Sequence, residues 1–278
     1  MSSFAILQGA DGWKTVSLSP QNMGAIMSQP DRFVTTNTLL AALSDADIAL
    51  LAPHFTRVPL ERHMKLVHIG APIEHVYFPE GGVGSIVARS PDRGVTEVGI
   101  FGREGVSATC LLLGADRSPH ETFMQVAGDA ALRIPVVPYL AAIRQSVSLQ
   151  TVLLRYVQTF MVQAAQSTAT NAHVRVEARL ARWLLMAHDR VEGDEIALTH
   201  EFMGMMIAAE RSSVTVSLHI LEGAGMIWSK RGRVVVRDRD MLEDMAGSSY
   251  GVPEAEYRAL IGPLGRGTAH RHPDDDRD

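Results

Sequence analysis

The sequence predicts an α+β protein: an N-terminal antiparallel β-roll, a long amphipathic helix and a C-terminal winged helix-turn-helix. Three observations carry that expectation. Between Arg62 and Pro135, short strand-type runs alternate with turn residues at near-regular spacing. After Pro138 the apolar period becomes helical and stays so to about Ala172. From Glu195 onward, two short helical patterns and a hairpin pattern follow in quick succession.

The chain order divides as follows. Residues 1–35 show no strong periodicity and contain Gly9, Gly12, Pro20, Gly24 and Pro30, so they read as a loose extension. Leu39, Leu40 and Leu43, then Ile48, Leu50 and Leu51 after the cap-like Ser44, predict two short helices. The roll, within 36–137, is expected to hold about eight strands. Its runs are His63–Ile69, His75–Phe78, Gly84–Ala88, Thr96–Phe101, Thr122–Val126 and Ala130–Ile134. Over 138–174 one helix is expected, with Leu149, Val152, Leu153, Tyr156, Val157, Phe160, Met161 and Ala164 on an apolar face. No helix of similar length in that half covers this face, so a parallel homodimer is expected through Leu149, Val152, Leu153, Tyr156 and Phe160. Gln163, Gln166 and Ser167 would set its register. The alternative is a helix packed on its own roll.

Within 175–247, a helix from Arg175 precedes a short strand at Glu195–Leu198. Thr199 caps a helix holding Phe202, Met206 and Ile207, and Ala208-Ala209-Glu210 interrupts it. A second helix runs from about Arg211 to Glu222, and Met226–Ser229 with Arg233–Arg237 forms a hairpin. Residues 248–278 are read as a tail, disordered from Arg266 onward.

Composition narrows the function. Of 278 residues, 46% are apolar and 21% charged, which excludes collagen-like, disordered and purely coiled-coil classes. No apolar run approaches the 18 or so residues of a membrane span. Met1 to Ala10 lacks a cationic segment before an apolar one, so a cytoplasmic protein is expected. The single cysteine, Cys110, excludes an intrachain disulfide and any CxxC site, and reads as a small core residue. Gly81-Gly82-Val83-Gly84 fails the dinucleotide fingerprint, and hydrolase, kinase and P-loop motifs are absent, so neither enzyme nor cofactor is expected. A cupin-like metal enzyme fits poorly: His63 and His68 are five residues apart and face opposite sides of one strand. His270 and His272 stand in an aspartate-rich tail.

Charge distribution says more than the net −5. From Arg211 to Arg239 six basic residues (Arg211, Lys230, Arg231, Arg233, Arg237, Arg239) stand against Glu222 and Asp238, a local +4. A helix packed through Val214, Leu218 and Leu221 turns Ser212, Thr215, Val216 and His219 outward, with Arg211 at its N-terminus, where a recognition helix meets base edges. Arginine pairs bidentately with guanine, hydroxyls bond many acceptors, and valine methyls meet thymine methyls. Lys230, Arg231 and Arg233 on the hairpin suit phosphates. Thr199, His200 and Ser213 complete the expected double-stranded DNA contacts.

From about Leu39 to Ala246, three quarters of the chain, the sequence resembles the Crp/Fnr family of bacterial transcription regulators. The resemblance rests on Leu198-Thr199-His200-Glu201-Phe202-Met203, Arg211-Ser212-Ser213-Val214-Thr215-Val216 and Leu221-Glu222-Gly223-Ala224-Gly225-Met226-Ile227. Ile73 to Gly82 and Phe101-Gly102-Arg103-Glu104-Gly105-Val106 add to it. It implies a cyclic-nucleotide-binding-like β-roll, a dimerisation helix, a palindromic operator, contact with RNA polymerase and an unknown small-molecule effector. Residues matching the effector pocket are Gly102, Arg103, Glu104, Gly105 and Arg117. Two departures stand out. Where cyclic-AMP-binding members have Arg-Ser/Thr-Ala, this chain has Pro119-His120-Glu121, and Arg117 lies two residues away. A lost phosphate-binding arginine removes a contact worth about 1.5–3 kcal/mol. Of the family's Arg, Glu and Arg base contacts, matched here by Arg211, Ser212 and Val216, only the first is retained, and alanine replaces the turn glycine at 208 or 209. Some relatives sense gases through haem, but no histidine is singled out as its ligand. The alternative reading is a constitutive DNA-binding or scaffold dimer whose roll binds nothing.

Overall fold

The computed structural model describes residues 4–9, 12–17, 33–90 and 94–266. It divides into two units, 1–34 and 35–278. In the first, β1 (Phe4–Gly9) pairs antiparallel with β2 (Gly12–Ser17), from Phe4↔Ser17 to Gly9↔Gly12. No element was expected here; strand-favouring Phe, Ile, Trp, Thr and Val, with Gly9 and Gly12 at the facing ends, account for the pairing.

The second unit opens with α1 (Thr38–Ala41) and α2 (Asp45–Leu51). Ser44 caps α2 as expected, its hydroxyl accepting from Asp47 N at 3.1 Å. Seven strands follow in two sheets: β3 (Thr56–Leu60), β9 (Gly128–Pro135) and β5 (His75–Pro79) in one, and β4 (Lys65–Val67), β8 (Glu121–Val126), β6 (Val83–Ser90) and β7 (Gly94–Phe101) in the other. Leu60, Leu66, Tyr77, Phe101, Met124 and Ala131 fill the space they enclose. Strand β3 was not expected from sequence; Pro59 disguises it and coincides with a register break between Val58 and Leu60. The run expected over His63–Ile69 shrinks to β4: His63 before it is left-handed, φ 67°, and Ile69 after it makes only an isolated bridge to Ser118.

The single helix expected over 138–174 is two, α3 (Val136–Gln145) and α4 (Val147–His173). Ser146 breaks it in an extended conformation and caps α4 by accepting from Leu149 N at 3.2 Å. Ser146 also donates to Asp47 Oδ1, and Ser148 donates to the same carboxylate at 2.8 and 2.9 Å, tying the junction to α2. Burial works against the Asp47 anion, but these bonds and that from Ser44 outweigh it and hold its carboxyl below the usual range.

One face of α4 lies on its own roll. Leu149, Leu153, Tyr156 and Gln163 are buried, and Val152 and Phe160 half-buried. Gln163 Oε1 accepts from Ile100 N at 2.8 Å. The roll carries glycine where α4 comes closest: a Cβ on Gly99 would stand 2.7 Å from the Phe160 ring, and one on Gly105 would collide with the Tyr156 hydroxyl. The residues nominated for subunit pairing are therefore largely covered within one chain. Gln166 and Ser167 are likewise used internally, bonding to Ser248 and Ser249 carbonyls and to Gln163 O.

After α5 (Val176–His188), β10 (Glu195–Ile196) joins β12 (Arg233–Val236) and β11 (Ile227–Lys230) in a small sheet beside α6 (His200–Met206) and α7 (Arg211–Gly223). Trp183, Leu184, Met203, Leu218 and Ile227 share one core with Val83, Ile100 and Val126 of the roll. Two more helices follow: α8 (Arg239–Ala246), capped by Asp238, closes the 175–247 segment where no helix was expected, and α9 (Val252–Leu260), where Gly251 N donates to Glu254 Oε2 at 3.0 Å, lies in the segment expected to be a tail. Residues 267–278, with His270 and His272, lie outside the described residues.

Candidate nucleic-acid interface

Helix α7 divides cleanly. Val214, Ser217, Leu218 and Leu221 are buried, whereas Arg211, Ser212, Val216, His219 and Ile220 are exposed, and Ser213 and Thr215 half-exposed. The Thr215 hydroxyl donates to Arg211 O at 3.1 Å. Helix α6 starts at Thr199, whose hydroxyl accepts from Phe202 N at 3.5 Å, so this side chain serves as a cap. The His200 side chain lies outside the described residues.

The α6–α7 turn shows where the missing glycine matters. Ala208 itself adopts φ 49°, and Arg179 braces the turn by donating to Ile207 O at 3.0 Å and Ala208 O at 3.4 Å. A non-glycine residue there costs on the order of 1 kcal/mol.

The six basic residues sort into distinct roles. Arg211, Arg231 and Arg237 are exposed and, among the described residues, make no ion pair. Lys230 Nζ lies 3.8 Å from the Trp228 ring centroid. Arg233 is paired with Glu195 at 3.2 Å, both half in solvent, a contact that phosphate could displace at little cost. Arg239 is structural: it binds Asp189 at 2.8 Å, Glu243 at 2.9 Å and the Tyr250 hydroxyl at 2.7 Å. It also faces His188 Nδ1, while His188 Nε2 lies 3.0 Å from Asp194 Oδ1. Burial lowers the His188 pKa, so its neutral form accepts from Arg239 and donates to Asp194.

Sequence reasoning missed Trp228, 45% exposed on β11 beside the buried Ile227. The strand alternation could have found it, since Trp228 and Lys230 share one face.

The residues matching an effector pocket are engaged within the fold. Glu104 is buried, pairs with buried Arg190 at 2.8 Å and accepts from Gly102 N at 3.0 Å. Arg103 points to Asp189 O at 3.4 Å, and Gly105 abuts Tyr156. Arg117 donates to Gly70 O at 2.9 Å and is half-exposed. Tyr257 of α9 donates to Glu104 O at 2.8 Å, and the cavity left among Glu104, Tyr156, Gln163 and Tyr257 measures about 10 Å³, room for one water. Among the described residues no group of three or more His, Cys, Asp or Glu could hold a metal, and no helix is long and apolar enough to cross a membrane.

Residues 178–245 match the Crp-like helix-turn-helix domain. Over about 70% of the chain the fold is that of solved Crp/Fnr-type regulators. The chain is similar to a CRP-family transcriptional regulator from Thermus thermophilus, at 22% identity and TM-score 0.57, covering 69% of this chain and 96% of that one. It is similar also to the c-di-GMP responsive global regulator CLP of Xanthomonas campestris, at 16% identity and TM-score 0.55, covering 70% and 99%. FixK2 of Bradyrhizobium japonicum matches at 15% identity and TM-score 0.57, covering 69% and 98%. No curated protein sequence matches the chain.

Proposed function

We propose that this chain, a Crp-like helix-turn-helix set on a Crp/Fnr-type fold, is a homodimeric, sequence-specific DNA-binding transcription regulator of the cytoplasm, without catalytic activity. The observation that supports it most is the exposed face of α7, where Arg211, Ser212, Val216 and His219 stand clear of the core beside a basic hairpin. Arg211 reads a base; Lys230, Arg231 and Arg237 neutralise phosphates. Arg211→Ala is expected to cost about 1–3 kcal/mol at one operator position, read by fluorescence anisotropy across single-base variants. Equal loss on every sequence would reduce Arg211 to a phosphate contact.

The subunit contact we assign to the outer face of α4. Val147, Thr151, Leu154, Gln158, Met161, Ala165, Thr168 and Ala172 are all exposed and alternate at spacings of four and three, the heptad seam of a two-stranded coiled coil. Two copies joined there would present two α7 helices to a palindromic operator with half-sites about one helical turn apart.

A second reading, in which DNA binding is constitutive and the roll takes no effector, is favoured by the commitment of Glu104 to Arg190 and Tyr257. Thermal melts with cyclic AMP and cyclic GMP separate the two. A ligand at 100 times its Kd adds about 2.7 kcal/mol, whereas the constitutive reading expects no shift.

A further inference from the structure

The seam between the roll and the helix-turn-helix unit joins an apolar core, with Val83, Ile100 and Val126 of the roll against α5 and α6, to a polar patch. Glu97 of β7 is wholly buried there, its Oε1 accepting from Trp183 Nε1 of α5 at 2.8 Å. Its Oε2 lies 2.8 Å from Ser85 Oγ of β6, and that hydroxyl lies 3.8 Å from Met206 Sδ of α6. The two Ser85 contacts compete for one proton. If Glu97 is ionised, the serine hydroxyl must donate to the carboxylate and nothing reaches Met206. If Glu97 is protonated at Oε2, it donates to Ser85, whose own hydrogen is free for the Met206 sulfur, and the chain of donors crosses from roll to reader.

The surroundings do not favour a permanent anion. The charged groups facing Glu97 are Arg182 of α5 and Arg190 just beyond it, with Arg179 lining the adjoining cavity; none forms an ion pair with it among the described residues. Arg182 Nε is held by Ser249 O and Arg190 by Glu104. From α4 the groups on this cavity are neutral, Ser167, Thr170 and Asn171. Among the described residues Thr170 Oγ1, Arg179 Nε and Arg182 Nη2 have no hydrogen-bond partner, so this part of the seam is polar and incompletely satisfied.

We propose that the seam is a proton-controlled latch: neutral Glu97 holds the helix-turn-helix unit on the roll, and loss of its proton loosens that docking. Burial, the largest influence, pushes the Glu97 carboxyl up to about 7 against the hydrogen bonds from Ser85 and Trp183. Because the docked arrangement then binds the proton more tightly than a solvated glutamate, docking is strongest in acid and weakens as pH rises toward 7. It levels off above that value. For a shift from 4.5 to about 7, the docking equilibrium falls about tenfold between pH 6 and 8.

The test is hydrogen exchange of the intact chain from pH 5.5 to 8.5, corrected for intrinsic rates, with emission read from a form keeping Trp183 alone. Expected are an emission change centred near pH 7 and an approximately tenfold loss of protection in α6 between pH 6 and 8. Both should vanish in Glu97→Gln, with α6 protected throughout. Ser85→Ala, which removes one donor to the anion, should move the midpoint upward. A flat wild-type titration, a Glu97→Gln variant that tracks wild type, or a midpoint indifferent to Ser85→Ala would overturn the latch. The readouts need no DNA and stand apart from the regulator reading.

Discussion

Ala208 shows how one residue can preserve a motif while departing from its usual composition. The backbone turns there through φ 49°, and three carbonyls, those of Asn171, Ile207 and Ala208, accept from Arg179 to hold it. Glycine would relieve the left-handed strain but enlarge the freedom of the unfolded chain. We expect Ala208→Gly to stabilise by about 0.5–1 kcal/mol in denaturant melts, the strain outweighing the entropy. A loss of stability would mean that the turn is not strained. Asp47 is a second such point, because three serines converge on its carboxylate. Its pKa is lowered in the fold, so its contribution is present above the ordinary carboxylate range and is lost as pH falls through the lowered value. Asp47→Asn should flatten the acid limb of a stability–pH profile and cost about 1–3 kcal/mol near neutrality.

At the scale of elements, the two faces of α4 carry the argument. An apolar period announces a buried face, but a helix with two such faces hides which one meets its own chain. Leu149, Leu153 and Tyr156 fit the roll, while Val147, Leu154 and Met161 stay exposed. Charging the outer seam separates the alternatives. Leu154→Glu with Met161→Glu should convert a dimer to a folded monomer in sedimentation, whereas an unchanged dimer would place the contact elsewhere. The roll strands and the α6–α7–hairpin unit were legible because turn residues and the apolar period mark their ends. Other features were not. Glycines and prolines in 1–35 hid the β1–β2 pair, Pro59 disguised β3, Ser146 broke a helix whose flanks are both apolar and periodic, α8 directly follows the hairpin and α9 falls in the segment expected to be a tail. Asp238 and Pro253 are helix-start signals that mark α8 and α9 in the sequence. At the candidate site, the exposed face of α7 was legible from helical phase, but Glu104's partner was not. Arg190 is 86 residues away, a proximity that only the assembled fold creates.

For the whole molecule, α5 and α6 pack the helix-turn-helix unit against the roll, and α9 packs on α4. Just beyond α5, Arg190 is buried against Glu104 of the roll, whose carbonyl accepts from Tyr257 of α9. Removing one partner of such a pair leaves a buried charge uncompensated, so Arg190→Met should destabilise by about 3–5 kcal/mol. A cost under about 1 kcal/mol would show that Glu104 reaches solvent.

The central claim is that a dimer of this chain reads DNA sequence, and selection from a random duplex pool at several stated salt concentrations tests it most directly. The account predicts an enriched palindrome with half-sites about one helical turn apart, lost position by position in Arg211→Ala. Binding that falls steeply with salt yet enriches no motif would contradict it, leaving only a basic surface that holds phosphates.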